Sequence, residues 1–355
     1  MSEVFKKLLL DPEHISSLLS WFDTHSIAYP WGDNPTAYRV WISEVMLQQT
    51  VVTAAVEHFK KWMIQFPDID TLAAAEEQAV LKAWEGLGYY SRARNIHKAA
   101  AYLVHSHNSS LPESYDELIR VPGIGDYTAR AVLSLAFAQP WPVLDANIRR
   151  IARRLYALSD WEKGDDRALI KMLERIIPHK ASGNFNAALM QLGQQICRSG
   201  KPDCLFCPFL SVCKARKGGL EESIPPKKKR LIKEKQTVLF LIRHGDKILM
   251  IHRKSGIGRG LWFLPACEKS QAGDIRSRME SFWQEAGTLP NQTHFYTAWK
   301  DYLYTEVYET KFPESIPLKE FFNHREDRAL WIALNDLENY PSPSVYRRLL
   351  NNYIN

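Results

Sequence analysis

The segment Val121–Arg130 constrains the fold more than any other stretch of this chain. It places Pro122-Gly123-Ile124-Gly125 between two amphipathic helical patterns. Gly123 and Gly125 let the backbone turn tightly because no Cβ stands in the way. The turn leaves backbone N–H groups at the start of the second helix without intrahelical partners, and such an end attracts an anion. The pattern predicts either a grip on one nucleic-acid phosphate, independent of base sequence, or an ordinary corner between helices.

Length and composition narrow the class of protein. A chain of 355 residues predicts two or three domains. Its formal net charge of +6 permits a polyanionic partner without requiring one. The sequence has no apolar run of about 18 residues, and its N-terminus does not resemble a secretory signal. We therefore expect no membrane association.

Four of the five cysteines are clustered: Cys197, Cys204, Cys207 and Cys213. One pair has Cys-x2-Cys spacing. The cluster predicts a metal centre in a reducing compartment rather than a disulfide framework. Zinc and a four-iron cluster both take four cysteine ligands, and the spacing does not choose between them. The fifth, Cys267, stands alone, and we expect it to be buried.

Glu44 stands inside an amphipathic helical pattern that includes Tyr38, Trp41 and Val45. At about 100° per residue it falls on the shoulder of the apolar stripe. A half-desolvated carboxyl at that place would have a raised pKa and would suit proton donation near neutral pH. The alternative is a solvated glutamate on the flank of the helix.

Asp145 precedes the helical pattern of Ile148, Ile151 and Leu155, in the position of an N-cap. Capping alone would explain an aspartate there. A carboxylate held at a helix start also stays ionised, and it could face a developing positive charge.

The joint Trp84–Arg94 contains two glycines and two tyrosines between helical patterns. It predicts either an exposed turn or a packed corner. In the exposed turn, Tyr89 or Tyr90 could stack on a base, and Arg92 and Arg94 could reach phosphate.

Beyond the cysteines the periodicity changes. Residues 217–234 read as a linker whose basic run is a solvated tether or tracks a phosphate backbone. Alternating patterns then predict a hairpin over 237–253, further strands near 293–310 and 328–332, a helix at about 272–286 and a closing helix. We predict a small α+β domain there, after an all-α region.

Together these motifs resemble MutY-type adenine DNA glycosylases of the helix-hairpin-helix superfamily. The resemblance covers the first 216 residues in order and rests on Ser43–Thr50, Gly86–Arg92, the Pro122–Gly125 turn, Leu144–Arg149 and the four cysteines. It implies a multidomain chain that begins with an all-α helix-hairpin-helix glycosylase domain carrying an iron–sulfur cluster loop.

The resemblance also implies the domain boundaries. A six-helix barrel would span about 30–135, and an iron–sulfur domain would combine 1–29 with 136–216. After a linker over 217–234, residues 235–355 would form a smaller α+β Nudix-like domain used for recognition. Residues 279–287 lack the acidic Nudix box, so we expect no nucleotide hydrolysis.

Three residues would carry the chemistry. The resemblance implies that Glu44 protonates the departing base, that Asp145 stabilises the sugar oxocarbenium ion and that Tyr127 supports Asp145. A protonated and an ionised carboxyl are what cleavage through such a state requires.

Other residues would bind DNA or metal. The resemblance implies that Gln49 and Tyr89 wedge into the duplex, that Leu47 lines the base pocket and that Gly123 and Gly125 form the gripping hairpin. A base reached in this way must first leave the stack. The four cysteines would ligate a mainly structural [4Fe-4S] cluster.

The expected activity is base excision repair, acting on double-stranded DNA with a mismatched or oxidised base pair. Related enzymes that also cut the strand carry a lysine where this chain has Tyr127, so we expect base excision only. A monomer associated with the nucleoid of a bacterial-type cytoplasm is implied. The rival hypotheses are a glycosylase for another mismatched base, a bifunctional glycosylase/lyase of the endonuclease III kind and a non-enzymatic DNA-structure binder.

The chain departs from the family's pattern at groups that read the base pair. Gly32 and Ile27 stand where the family has arginines, and Ala187 replaces a glutamate. The loop that recognises 8-oxoguanine aligns with Trp299-Lys300-Asp301. We therefore expect intact excision chemistry with a weakened or altered preference for adenine opposite 8-oxoguanine.

Overall fold

A computed structural model describes residues 5, 10–226, 235–275, 277, 290–298, 301–309 and 328–354. The chain divides into two compact units. The first comprises Met1–Ala74 and Asn95–Lys229, and the second comprises Ala75–Arg94 and Arg230–Asn355. Residues 75–94, which the sequence places in the N-terminal domain, group with the C-terminal residues. The domain boundaries at 216 and 235 stay predictions.

The N-terminal part of the chain is helical, as expected. Helix α5 and the first turn of α6 belong to the second unit. The helices in chain order are α1 (Pro12–His25), α2 (Ala37–Leu47), α3 (Val52–Gln65), α4 (Ile69–Ala74), α5 (Glu77–Ala83), α6 (Ser91–His107), α7 (Tyr115–Leu118), α8 (Asp126–Leu135), α9 (Ala146–Tyr156), α10 (Asp165–Glu174), α11 (Ser182–Gln195) and α12 (Lys214–Lys217).

Local chemistry sets the ends of the helices that form the site. Thr36 caps α2 by accepting from the Arg39 backbone N–H, and Asp145 caps α9 in the same way. Helix α9 ends at Ala157, whose φ of 57° is left-handed. Helix α2 packs on α8, and α11 packs on α1, α8 and α9. This arrangement brings the first turns of α8 and α9 towards α2.

The core of the first unit lies between α1, α9, α10 and α11. Its fully or nearly fully buried side chains include Leu18, Ile148, Leu169, Phe185 and Leu192. Apolar burial of this kind contributes about 25 cal/mol per Å². It holds fixed the helix ends that carry the polar groups of the site.

The second unit contains a mixed seven-stranded sheet with the order β3-β2-β1-β6-β5, in which β4 pairs with β1 and β7 with β2. Only the pairing of β1 with β6 is parallel. The strands are β1 (Lys235–His244), β2 (Lys247–His252), β3 (Trp262–Phe263), β4 (Ala266–Glu268), β5 (Pro290–Ala298), β6 (Asp301–Glu309) and β7 (Arg328–Ala333). The predicted β1–β2 hairpin is present, and the C-terminal helix spans Ser344–Ile354.

Some predictions about this unit concern residues outside the described ranges. Residues 269–275 are helical, but most of the helix predicted at 272–286 lies outside the described part. Trp299 and Lys300 of the predicted recognition loop also lie outside it. Cys267 is half-buried rather than buried, because it lies in β4. Among the described residues no helix has both the length and the apolar character needed to cross a membrane.

Candidate active site

Glu44 lies on α2 and is buried, with 5% of its surface exposed. The sequence places it on the shoulder of an apolar stripe, but residues 40–46 are all buried because neighbouring helices cover both flanks of α2. Burial raises the pKa of Glu44 to about 7, the Tyr127 hydrogen bond opposes this shift, and the charge of Asp145 adds to it. Near neutral pH the carboxyl is therefore poised between its neutral and ionised forms.

Tyr127 lies in the first turn of α8, and its hydroxyl donates to Glu44 Oε2 at 2.7 Å. The resemblance implies support of Asp145, so the direct partner differs from the expectation. Burial raises the pKa of Tyr127 well above its ordinary value, and the charge of Glu44 raises it further. The phenol therefore stays protonated and acts as a permanent hydrogen-bond donor to Glu44.

Asp145 is the N-cap of α9. Its Oδ1 accepts from the Ile148 backbone N–H at 2.7 Å, and its Oδ2 accepts from Asn147 Nδ2 at 2.7 Å. Burial raises the pKa of Asp145 above its ordinary value, while these hydrogen bonds and the charge of Arg150 lower it. Two donors aimed at the carboxylate favour its ionised form. The capping prediction for Asp145 matches this geometry.

Glu44, Tyr127 and Asp145 line one cavity of about 920 Å³, within the first unit. A volume of this size accommodates a nucleoside-sized ligand. Leu47 and Gln49 line the same cavity. The two carboxyl groups that the sequence singles out thus face a common space from different helices.

The three departures in the first unit line this cavity as well. Ile27, Gly32 and Ala187 are part of its wall. The Ile27 backbone N–H donates to Gln191 Oε1 at 3.0 Å, and Gln191 Nε2 donates to the His25 carbonyl at 2.7 Å. These two hydrogen bonds to Gln191 hold the segment that carries Ile27 in place. The cavity wall therefore has apolar or small side chains where the resemblance implies charged ones.

The two glycines of the hairpin before α8 differ in backbone conformation and in surroundings. Gly123 has a φ of +80°, and a Cβ there would lie 2.6 Å from Asn95 Cβ. Gly125, the N-cap of α8, has an ordinary extended backbone and no atom within 4 Å of an added Cβ. Only Gly123 is required by the fold itself. At Gly125 the backbone at the start of α8 is open to its surroundings.

Gln49 is exposed and has a left-handed φ of 59°, which is uncommon for a residue other than glycine. It follows α2 directly, at the edge of the cavity. Tyr89 lies in the second unit, where it is 62% exposed with a φ of 46°. The exposed-turn interpretation therefore describes Tyr89, whereas Tyr90 is buried and its hydroxyl donates to the Ser342 carbonyl at 3.0 Å.

A hydrogen-bonded chain that the sequence analysis missed runs from Asp145 to the cysteine loop. Asn147 donates to Asp145 and accepts from Arg150 at 2.9 Å, and Arg150 Nε donates to the Cys197 carbonyl at 2.7 Å. One turn later Arg154 is nearly fully buried and donates to Cys197 Sγ at 3.2 Å. In the sequence, the i, i+4 spacing of Arg150 and Arg154 indicates that both lie on one face of α9.

The four clustered cysteines are half-buried and line one small cavity, together with Arg154 and Arg216. Within the described ranges, no group of three or more histidine, cysteine or acidic side chains converges closely enough to hold a single metal ion. The loop thus supplies four sulfur donors around a common space, and two guanidinium groups that can balance the charge of thiolates.

The fold and the site agree with a comparison against protein families. The family model of the HhH-GPD superfamily, described as base excision DNA repair proteins, matches residues 42–178. That span begins just before Glu44 and contains the hairpin and Asp145. The class that fold and site define is thus a helix-hairpin-helix protein of base excision repair.

Similarity to individual proteins narrows the class. An adenine DNA glycosylase of Buchnera aphidicola subsp. Acyrthosiphon pisum is 31% identical over 95% of this chain and 96% of its own length. A second, from Buchnera aphidicola subsp. Baizongia pistaciae, is 37% identical over 68% of this chain and 70% of its own. This chain belongs to the adenine DNA glycosylase family.

Solved structures support the fold. A thermostable thymine-DNA glycosylase matches 57% of this chain and 95% of its own, with a TM-score of 0.54 at 23% identity. At this identity the likeness concerns the fold alone. The predicted all-α glycosylase domain followed by a smaller α+β domain is confirmed.

Proposed function

We propose that this chain is a monofunctional DNA glycosylase that flips a mispaired adenine out of the duplex and hydrolyses its N-glycosidic bond. The observation that carries the proposal is that Glu44 and Asp145 line one cavity. Tyr127 donates a hydrogen bond to Glu44, and Asp145 is held as the N-cap of α9. Two carboxyl groups with different environments can divide acid and electrostatic roles between them.

Glu44 acts as the general acid. Tyr127 engages Oε2, so the proton for the departing base is best held on Oε1. A pKa of about 7 keeps a large fraction of the carboxyl protonated at neutral pH. Protonation of the base nitrogen makes the base a better leaving group as the bond to the sugar breaks.

Asp145 stabilises the positive charge that develops on the sugar. Its two hydrogen bonds hold the carboxylate in place before the reaction, so no reorganisation is needed when the charge appears. Water then adds to the sugar carbon, its proton passes to the now ionised Glu44 carboxylate, and an abasic site is left. The roles of Glu44 and Asp145 are proposals that this geometry supports.

The absence of a cavity lysine supports base excision without strand cleavage. Among the described residues that line the cavity there is no lysine, and Tyr127 occupies the first turn of α8. A Schiff base requires an amine at the sugar carbon. Borohydride trapping should therefore capture no covalent complex with DNA.

A second candidate function is excision with altered base-pair preference. Its support is the position of Ile27, Gly32 and Ala187 in the wall of the same cavity as Glu44. Each lacks the charged group that the resemblance implies, so the wall offers fewer directed hydrogen bonds to the edge of a flipped base. Exclusive dependence on 8-oxoguanine opposite the adenine is not expected either, because Trp299-Lys300-Asp301 stands where the resemblance implies the loop that recognises this base.

One substrate panel tests both functions. Single-turnover excision rates should be measured on duplexes carrying A opposite 8-oxoguanine, A opposite G, A opposite C and G opposite T. We expect excision of adenine from at least two of the first three, with rates that differ by less than about a hundredfold, which corresponds to about 2.7 kcal/mol. Excision from the G opposite T duplex alone would contradict the proposed substrate. Excision only opposite 8-oxoguanine would contradict the altered preference.

We propose further that Cys197, Cys204, Cys207 and Cys213 hold a [4Fe-4S] cluster. The resemblance implies this cluster rather than zinc, and the four thiols surround one common cavity. The buried Arg154 guanidinium beside Cys197 suits a group of net negative charge. The cluster would brace the cysteine loop against α9.

Metal analysis tests the cofactor. The purified chain should be brown and should contain about four iron and four sulfide per molecule. The variant Cys204→Ala should lose the colour, whereas Cys267→Ala, which changes the lone cysteine of β4, should keep it. One equivalent of zinc without iron would contradict the proposal.

The same reasoning extends to partners. The substrate would be double-stranded DNA with a mismatched or oxidised base pair, bound by a monomer in the compartment that holds the chromosome. The unobstructed N-terminus of α8 at Gly125 and the exposed Gln49 support duplex binding by the first unit.

A further inference from the structure

The loop between β2 and β3 presents one large apolar side chain to solvent. Ile257 is 92% exposed at its tip, more than any other large hydrophobic residue of the described part. The neighbouring Gly256, Gly258 and Gly260 all have positive φ, between 71° and 83°. Single exposed aliphatic side chains are common on protein surfaces; Ile257 differs in that a loop with three glycines of positive φ holds it outward.

The shape of this loop is set by close packing. A Cβ at Gly258 would lie 2.4 Å from the Phe263 ring, and one at Gly260 would lie 2.7 Å from Leu81 Cδ1. Arg253 NH1 donates to the Ile257 carbonyl at 2.7 Å while its guanidinium stacks 4.1 Å above the Phe263 ring. The loop is therefore built around its glycines, and Ile257 is held outward rather than left there by disorder.

Positive charge surrounds this tip. From Lys247 to Cys267 the sequence contains no acidic residue, and it contains Arg253, Lys254 and Arg259. The Arg94 guanidinium, from the first turn of α6, donates to the Arg259 carbonyl at 2.6 Å.

The charges of Arg94 and Arg259 also act on each other. Burial lowers the pKa of Arg94, Glu77 raises it, and the charge of Arg259 lowers it. Glu77 already offsets part of the Arg94 charge, and Arg253, Lys254 and Arg259 leave the loop with an excess of positive charge that attracts anions. The tip is therefore an apolar side chain within an anion-attracting surface.

Duplex DNA is a polyanion whose stacked bases form an apolar interior, and it is the proposed substrate of this chain. Proteins that deform DNA insert apolar side chains between base steps while cations hold the flanking phosphates. We propose that Ile257 is a DNA-contacting wedge of the second unit, inserted at the minor-groove edge of the duplex and flanked by phosphate contacts from Arg94 and Arg259. The inference rests on the proposed action on duplex DNA, and it assigns a contact outside the catalytic cavity.

The test compares the affinity of the full chain for a duplex of about 30 base pairs, with and without a mismatch. We expect Ile257→Ser to raise Kd about tenfold on both duplexes, as loss of a buried aliphatic contact predicts. Ile257→Leu should bind like the unaltered chain. The matched control is Ile64→Ser on α3, which removes another isoleucine of 83% exposure and should leave Kd unchanged.

The salt dependence of duplex binding distinguishes the apolar contact of Ile257 from the phosphate contact of Arg259. Ile257→Ser should leave the slope of log Kd against log salt concentration unchanged, because no phosphate contact is lost. Arg259→Gln should reduce the magnitude of the slope by about one.

Several outcomes would overturn the wedge. Unchanged duplex affinity in Ile257→Ser would do so, as would a loss equal to that of Ile64→Ser. Binding of the full chain to anionic phospholipid vesicles that depends on Ile257, with no effect on duplex affinity, would assign the tip to a membrane surface instead. These results are independent of catalysis: a chain that excises no base can still be scored for duplex affinity, and normal excision with no effect of Ile257→Ser rejects the wedge alone.

Discussion

Replacement of Glu44 by glutamine is expected to slow base excision by about a thousandfold, within the range of about 10² to 10⁴ that a positioned general acid contributes. Glutamine has nearly the same shape and can still accept the Tyr127 hydrogen bond that Glu44 Oε2 accepts at 2.7 Å. It cannot release a proton to the departing base. Duplex affinity should change little, so the loss should lie in the single-turnover rate.

The pH profile provides a second readout of the same change. The rate of the unaltered chain should fall as pH rises through about 7, because burial raises the pKa of Glu44 to that value and the proton is then lost. It should also fall on the acid side as Asp145 becomes protonated. In Glu44→Gln the alkaline fall should disappear from the residual rate. An unchanged profile in that variant would mean that another group supplies the proton.

The same substitution should increase stability at alkaline pH. The rise of the Glu44 pKa from 4.5 to about 7 corresponds to about 3 kcal/mol of unfolding free energy. That contribution is fully present below the unfolded pKa, and it is lost as pH rises through the folded pKa. Glu44→Gln does not titrate, so it should unfold at higher denaturant than the unaltered chain at about pH 8.5.

Two controls accompany these measurements. Glu57→Gln on α3, which alters an exposed glutamate paired with Lys60, should change neither rate nor stability appreciably. Loss of excision in Glu44→Gln together with reduced alkaline stability would indicate a damaged fold instead of missing chemistry. Greater stability with lost activity is the combination expected of a functional group buried against its own preference.

The sequence predicts those features of the site that depend on local chemistry. Asp145 caps α9 because an aspartate before a helical pattern satisfies the N–H of the third residue on. Gly123 is required because the turn needs a positive φ. Pro178 lies between α10 and α11 and cannot continue a helix, so the sequence also marks the interruption between these two helices.

Features that depend on tertiary packing escape such reasoning. The shoulder position of Glu44 predicts half burial, but its full burial and its pKa of about 7 arise because neighbouring helices cover both flanks of α2. The partner of Tyr127 lies 83 residues away, and local periodicity holds no information about that pairing. The hydrogen-bonded chain from Asp145 through Asn147 and Arg150 ends at the Cys197 carbonyl, 47 residues further on, so it depends on the positions of both α9 and the cysteine loop.

Replacement of Asp145 by asparagine is expected to reduce the excision rate by about 10² to 10³-fold, the effect of removing one preorganised electrostatic group from a reacting centre. Asparagine is also a good N-cap, so its side-chain oxygen can still accept from the Ile148 N–H. The start of α9 should therefore persist, and unfolding should move by less than about 1 kcal/mol. What is lost is the negative charge facing the sugar.

The hydrogen bond from Asn147 makes this substitution more damaging than simple neutralisation. Asn147 Nδ2 donates to Asp145 Oδ2 at 2.7 Å, and an asparagine at 145 would present its own amide donor there. Two donors cannot pair, so Asn147 should rotate and release Arg150, whose guanidinium bonds the Asn147 oxygen and the Cys197 carbonyl. Asp160→Asn, an exposed aspartate of the same unit, provides the matched control and should retain the full rate. An Asp145→Asn variant that excises adenine within about threefold of the unaltered chain, measured in single turnover at saturating enzyme, would remove Asp145 from the proposed mechanism and leave Glu44 to act with some other anion.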